Sequence, residues 1–176
     1  MRLGLGRFLR WALKAGAYST IGATVVLVIV FVLYLNSRPD LDVWHLVGLD
    51  EEFTADSEIE TFADYLALED RLFRQLDELV YERTPPDDRR AINRYNRGSL
   101  SDPDRWSPNW NRSFELADES PNAGVLLLHG MSDSPYSLRN LGERLHEAGA
   151  HVVGLRMPGH GTAPSGLVEL TWQDMA

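Results

Sequence analysis

Residues 124–161 read GVLLLHGMSDSPYSLRNLGERLHEAGAHVVGLRMPGHG, with two short apolar runs on either side of a segment with helical spacing. The runs lie at 124–128 and 151–155. Short uninterrupted apolar runs are typical of strands that are buried on both faces of a parallel sheet. A strand, a helix and a second strand in this order form a right-handed parallel crossover unit. The stretch therefore predicts an α/β fold.

The segment between the two runs carries the signals of a helix. Ser134 and Pro135 are typical of an N-cap and a first helical residue. Gly149 is placed to end the helix. Between them, four residues mark one apolar helix face: Leu138, Leu141, Leu145 and Ala148. Residues 113–116 predict a further strand, upstream of the unit.

The stretch resembles the N-terminal part of an α/β-hydrolase, in the monoacylglycerol-lipase, carboxylesterase and serine-aminopeptidase-like group. The resemblance rests on residues 126–135, LLLHGMSDSP, and residues 156–162, RMPGHGT. The two motifs stand in this order across the strand–helix–strand unit, and the resemblance covers about residues 113–176. It implies the N-terminal portion of an α/β-hydrolase sheet, here preceded by a single transmembrane helix and a helical connector.

The resemblance also implies a site in the loop after the first strand. Ester hydrolysis builds negative charge on the carbonyl oxygen, and backbone N–H groups fixed in advance stabilise that charge. Carried over by position, one such donor is the main-chain N–H of Met131. Gly130 lets the backbone approach the substrate closely, and His129 orients the loop. In this family the side chain of His129 is not the catalytic base.

Four further polar side chains in the two motifs need an interpretation. The segment from Gly130 to Ser134 matches Gly-x-Ser-x-Gly except at the last position. It follows the first buried strand and precedes a Ser-Pro cap, so we predict capping and loop roles for Ser132 and Ser134. In the family reading, His160 is a structural or substrate-rim residue. Arg156 stands where many relatives carry an acidic or small residue, which bears on the rim chemistry and on substrate choice.

The 176 residues contain no Gly-x-Ser-x-Gly motif. In this family the nucleophile, the acid and the base follow later strands. We therefore expect a fragment that is inactive alone, taken from a membrane-anchored serine hydrolase that acts on carboxylic esters, in particular lipid acyl esters. A peptidase of the same fold is one alternative, because the oxyanion chemistry is shared. A catalytically inactive, membrane-anchored interaction module that binds through helix 57–83 is the other.

Residues 15–36, AGAYSTIGATVVLVIVFVLYLN, predict a transmembrane anchor. No charge occurs between Lys14 and Arg38. The apolar part, 15–35, is long enough to span about 31 Å as a helix, which is the thickness of a bilayer core. A cleaved signal peptide is the alternative, but its apolar region is normally about 7–15 residues long and ends in small residues.

Charge divides the chain at the same place. Residues 1–38 hold five basic residues and no acidic one, whereas residues 39–176 carry a net charge of −14. An acidic body argues against nucleic-acid binding. A basic head, residues 1–14, predicts a cytoplasmic N-terminus and an extracytoplasmic body, and we expect a bacterial inner membrane. The partners we expect are the lipid bilayer and a small ester or lipid substrate.

Residues 37–112 predict a connector made of helix and loop. Ser57 with Glu60 is a possible capping box. Apolar residues at intervals of three, four or seven predict a helix over 57–83 that packs on the main domain: Ile59, Phe62, Leu66, Phe73, Leu76 and Val80. A short coiled coil is the alternative, although Glu69 occupies a position in its seam. Near the other end, Thr171 with Asp174 resembles the capping box of a further helix.

The sequence implies no metal and no cofactor. The chain has no cysteine, which excludes disulfides, cysteine zinc sites and thiol nucleophiles. The segment from His146 to His151 misses the His-Glu-x-x-His zinc pattern by one residue, and no phosphate-binding Gly-x-x-x-x-Gly-Lys loop occurs.

Overall fold

A computed structural model describes residues 2–38 and 41–175, and the chain forms two compact units, Met1–Asp40 and Leu41–Ala176. The outer ends of the predicted head and of the predicted α/β domain, Met1 and Ala176, lie outside the described residues. The sequence-based boundary between connector and α/β domain, at residues 112 and 113, stays a prediction.

The first unit is a single helix, α1, which spans Arg2–Asn36. The basic head and the apolar segment are therefore one continuous helix. Its part Gly6–Asn36 is long and apolar enough to cross a membrane, and none of it is buried within the chain. The hydroxyl of Thr20 donates to the Gly16 carbonyl at 2.9 Å, so this polar group is satisfied inside the helix. A membrane span has these features, and so does a signal sequence.

Helix α2, Val43–Leu46, and helix α3, Phe62–Leu76, follow in the second unit. Helix α3 begins five residues later than predicted. Its capping box is Thr61 and Asp64, in which each side chain accepts a hydrogen bond from the other residue's backbone N–H. The predicted box at Ser57 is wrong, because that hydroxyl accepts a hydrogen bond from the N–H of Thr54 in a preceding turn.

A π-helical turn, Asp77–Tyr81, continues α3. A π turn holds one residue more than an α turn, and here the adjacent side chains of Val80 and Tyr81 are both buried. The hydroxyl of Thr84 then donates to the Val80 carbonyl at 2.8 Å. The helical segment therefore ends close to the Thr84-Pro85-Pro86 sequence that predicts its end.

The apolar face of α3 lies in the core of its own unit. Phe73, Leu76 and Val80 are buried as predicted, whereas Phe62 and Leu66 are only half-buried. The core around them contains eight buried residues: Leu49, Leu72, Phe73, Leu76, Val80, Tyr81, Tyr95 and Ala163. Because this face is already covered, it does not present the free apolar stripe that a coiled coil or a partner-binding helix needs.

Three strands form one mixed sheet in the order β1-β3-β2: β1 Phe114–Leu116, β2 Ala123–Leu128 and β3 Ala150–Leu155. Strands β2 and β3 are parallel, and β1 runs antiparallel to β3. Helix α4, Arg139–Glu147, joins β2 to β3 after a 3₁₀ turn, Pro135–Leu138. Gly149 follows in the left-handed conformation, with φ +88°. The predicted strand–helix–strand unit is confirmed, and it lies in a mixed sheet of three strands with helices.

The two faces of the sheet differ, which corrects the prediction that its strands are buried on both. One face packs on α4 through Phe114, Leu127 and Val152. On the other face, Leu126 is 59% and Leu128 56% exposed. Period-two alternation places them opposite α4, where none of the described helices covers them. The buried side of α4 also differs from prediction: Gly142 is buried beside the half-buried Leu138 and Leu145, and Leu141 is exposed.

Replacing Gly154 with alanine is expected to lower the free energy of unfolding by about 1–3 kcal/mol, because the new methyl group would overlap the ring of Phe114. Gly124→Ala is the matched control, since a Cβ at this strand position meets no atom within 4 Å. Urea unfolding of both variants checks the prediction. Equal losses of stability in the two variants would contradict it.

Candidate functional site

The loop after β2 holds the three predicted site residues side by side. His129 is buried, whereas Gly130 and Met131 are exposed. Within residues 2–38 and 41–175, no hydrogen-bond acceptor contacts the N–H of Met131. A Cβ at Gly130 would meet no atom within 4 Å. The loop therefore presents a free backbone donor with open space beside it.

His129 connects the loops that follow β2 and β3. Its Nε2 accepts a hydrogen bond from the N–H of Met157 at 3.0 Å. Its Nδ1 lies 2.9 Å from the carbonyl oxygen of Gly130 and must therefore carry the proton. A neutral imidazole in a single tautomer thus holds the Gly130 loop against the Met157 loop.

The stability of the second unit is expected to depend on the charge of His129. Burial lowers the pKa of His129 below its usual value. The His129 imidazole is therefore harder to protonate in the folded state than in the unfolded state, in which its pKa is about 6.5. The stability that the neutral His129 side chain contributes is fully present above about pH 6.5. It is lost as the pH falls from there through the pKa of the folded state. Protonation also removes the acceptor that Met157 uses.

Urea unfolding at several pH values between 8 and 5, about the range in which histidine changes charge, measures this effect. His129→Gln is the comparison variant, because its amide accepts and donates without titrating. Stability should fall less steeply with decreasing pH in this variant than in the unaltered chain. Parallel curves would show that His129 is not responsible.

The serines of the loop have separate roles. Ser132 lies in the left-handed region at φ +65°, a conformation that residues other than glycine rarely adopt. Ser134 stands at the predicted N-cap position, but its hydroxyl makes no cap hydrogen bond. The hydroxyl donates instead to Oδ1 of Asn111 at 2.6 Å. The predicted capping hydrogen bond is therefore wrong, because Asn111 takes the donor and ties the loop to the segment before β1.

The second motif forms a tight turn that buries His160. Gly159 and Gly161 both have positive φ, and a Cβ on either would lie within 2.7 Å of a backbone oxygen, that of Gly166 or of Asn111. Only glycine fits at these two positions. Between them, Nδ1 of His160 lies 2.7 Å from the Pro158 carbonyl, and Nε2 has no partner among the described residues.

A cleft of about 430 Å³ opens beside this turn and the Ser132–Ser134 loop. Trp44 and Tyr95 line one wall with stacked rings, 5.0 Å between centroids. His160 belongs to the lining, and its ring centroid lies 5.2 Å from that of His129. A cleft with aromatic walls and a few polar groups at one end is typical of a small-molecule site.

Arg156 does not lie on the rim, which corrects the interpretation of this position from sequence. The side chain is fully buried. Its guanidinium contacts both carboxylate oxygens of Glu52, at 2.8 and 3.0 Å, and its Nε donates to Glu69 at 2.7 Å. The two carboxylates compensate the charge of this cation in the interior, because a buried charge needs paired and hydrogen-bonded partners.

This ion cluster also fixes the second motif. The guanidinium donates to the His160 carbonyl at 3.1 Å, and the Arg156 carbonyl accepts from the Tyr65 hydroxyl at 2.6 Å. Burial alone would lower the pKa of Arg156, but Glu52 and the neighbouring groups raise it above its usual value. The only sign of this cluster in the sequence is Glu69, an acidic residue in an apolar helix seam.

Across the part of the chain that the structure describes, no group of three or more His, Asp or Glu side chains is placed to hold a metal ion. The sequence matches no protein-family model. It matches no curated protein.

Among solved structures, the chain is similar to one described as "LipS and LipT, two metagenome-derived lipolytic enzymes increase the diversity of known lipase and esterase families". The two are 33% identical where they align, the alignment covers 38% of this chain and 26% of the other, and the TM-score is 0.34. The alignment thus spans about a quarter of the length of that structure's chain. The lipolytic activity in that description is a property of that protein.

Proposed function

We propose that residues 113–175 are the oxyanion-loop part of a serine hydrolase that acts on carboxylic esters, with a nucleophile outside this sequence. The observation that carries the proposal is the N–H of Met131, which no acceptor contacts among the described residues and which lies in a loop fixed by His129. A backbone donor held in place in advance is what stabilises the negative oxygen of acyl transfer.

The reaction that this loop supports is acyl transfer. A serine hydroxyl attacks the ester carbonyl and gives up its proton to a base, and the carbonyl oxygen gains negative charge. The Met131 N–H donates to that oxygen. The C–O bond of the ester breaks, the alcohol leaves with the proton, and water then cleaves the acyl-enzyme. Amide cleavage uses the same steps, so a peptidase of this fold stays the alternative substrate class.

The proposed location follows from helix α1. We propose that α1 is a retained single-pass anchor, with the N-terminus in the cytoplasm and residues 41–176 on the opposite side of a bacterial inner membrane. The support is the length and apolar character of Gly6–Asn36 and the four basic residues, with no acidic one, in residues 1–14 before the apolar segment. An anchored enzyme suits a substrate that partitions into the bilayer, and the proposed substrate is therefore a lipid acyl ester.

The test is expression of the reading frame extended beyond codon 176, followed by fluorophosphonate labelling and assay of p-nitrophenyl esters. Labelling and hydrolysis by the extended protein, and not by the 176-residue chain, support the proposal. Ser132→Ala and Ser134→Ala in the extended protein are the controls, and both should still be labelled. An extended protein that neither labels nor hydrolyses overturns the proposal.

A further inference from the structure

Helix α1 carries three cations on one stripe of its N-terminal segment. Arg7, Arg10 and Lys14 are spaced i, i+3 and i+7, which places them within about 60° of one another around the helix. All three are exposed. The aromatic ring of Trp11 flanks the stripe and is also exposed. The stripe is therefore a continuous basic surface and not a set of scattered charges.

The described part of this unit, residues 2–38, offers no group that neutralises the stripe. Residues 1–38 contain no acidic residue, and the first turn of α1 carries none. The amide dipoles add positive potential at the same end of the helix. In the second unit, by contrast, Arg71 and Arg112 pair with exposed carboxylates. Residues 1–38 therefore supply no opposite charge for the stripe.

Helix geometry places the stripe at the depth of lipid phosphates if α1 spans a bilayer, and the inference rests on that part of the proposed function. The uncharged segment 15–35 fills the hydrocarbon core. Lys14 lies at its boundary, and Arg10 lies about 6 Å further along the axis, within the polar layer. Arg7 lies about 11 Å from Lys14, and its long side chain reaches back to the headgroups.

We propose that Arg7, Arg10 and Lys14 form a binding surface for the phosphate groups of anionic phospholipids. Two of the three are arginines, whose planar guanidinium binds phosphate oxygens in pairs. The surface selects acidic lipids around the anchor, independently of the loop that we propose for catalysis.

The experiment uses the full chain in phosphatidylcholine vesicles that contain a minor fraction of phosphatidylglycerol. Spin-labelled forms of the two lipids measure their relative association with the protein. We expect a preference for phosphatidylglycerol that falls about fivefold for each cation replaced by glutamine. Arg38→Gln, just beyond the other end of the helix, is the comparison variant and should lower the preference less than any of the three, because Asp40 and Asp42 follow this cation in the sequence. A variant with Arg7→Lys, Arg10→Lys and Lys14→Arg should retain most of it.

Equal association of the two lipids with the unaltered chain would overturn the proposal. So would a loss of the preference in inorganic phosphate but not in chloride of equal ionic strength, because the ligand would then be a soluble anion. Extraction of the chain from vesicles by alkaline carbonate would overturn the anchor and this surface together. None of these readouts depends on hydrolysis, so failure here is distinct from failure of the hydrolase proposal.

Discussion

Replacing Arg156 with methionine is expected to lower the free energy of unfolding of the second unit by about 3–5 kcal/mol. The change leaves the carboxylate of Glu69, which is 1% exposed, buried without a cation. Glu52 loses both of its contacts with the guanidinium at the same time. Urea unfolding of the full chain in detergent, followed by near-ultraviolet circular dichroism, measures the loss.

Two comparisons identify the cause of that loss. Arg71→Met breaks an exposed pair with Glu51 and should change the free energy of unfolding by about 1 kcal/mol or less. Adding Glu52→Gln and Glu69→Gln to Arg156→Met should restore part of the stability, because the stranded charges are then gone. If Arg71→Met destabilises the chain as much as Arg156→Met, burial of the cluster does not matter.

Replacing Met131 with proline in the extended protein is expected to lower the kcat of the proposed ester hydrolysis by about 10²–10³-fold. Proline has no backbone N–H, so the proposed oxyanion donor disappears. The Met131 side chain is 64% exposed, and its removal alone should matter little. Hydrolysis of a p-nitrophenyl ester under saturating substrate measures the effect.

Met131→Ala is the matched control, because it shortens the side chain and keeps the N–H. Its kcat should stay within a few-fold of that of the unaltered enzyme. Both variants should unfold at the same temperature, which excludes a general loss of structure. Equal activity of the proline and alanine variants would rule out the Met131 N–H as the donor.

The strand–helix–strand unit was predictable because its signals are local. The two apolar runs predict β2 and β3, Pro135 marks the 3₁₀ turn that leads into α4, and Gly149 marks where the helix has ended. The start of α3 was harder, because two possible capping boxes stand four residues apart and only the one at Thr61 forms. The buried face of α4 was also missed in part. Gly142 gives no apolar signal, yet a Cβ there would lie 3.1 Å from the ring of Phe114.

The candidate site was likewise predictable only where its residues are adjacent in the sequence. The His129–Met131 loop follows from a motif of adjacent residues. The ion cluster that supports the second motif does not, because Arg156 lies 87 residues from Glu69 and 104 from Glu52 along the chain. Residues so far apart along the chain follow no helix or strand repeat, so their pairing leaves no pattern in the sequence. Without the fold, a buried arginine and an exposed rim arginine give the same sequence signal.

The π-helical turn at Asp77–Tyr81 gives the end of α3 room to change in length. The turn already holds one residue more than an α turn, so losing a residue there converts it to ordinary α-helix without moving the part upstream. An insertion or deletion in α3 between Glu69 and Leu76 would instead rotate that carboxylate by about 100° relative to the buried residues that follow, and so away from Arg156. Insertions and deletions accepted over evolutionary time should therefore collect at residues 77–81 and be absent from the preceding turns.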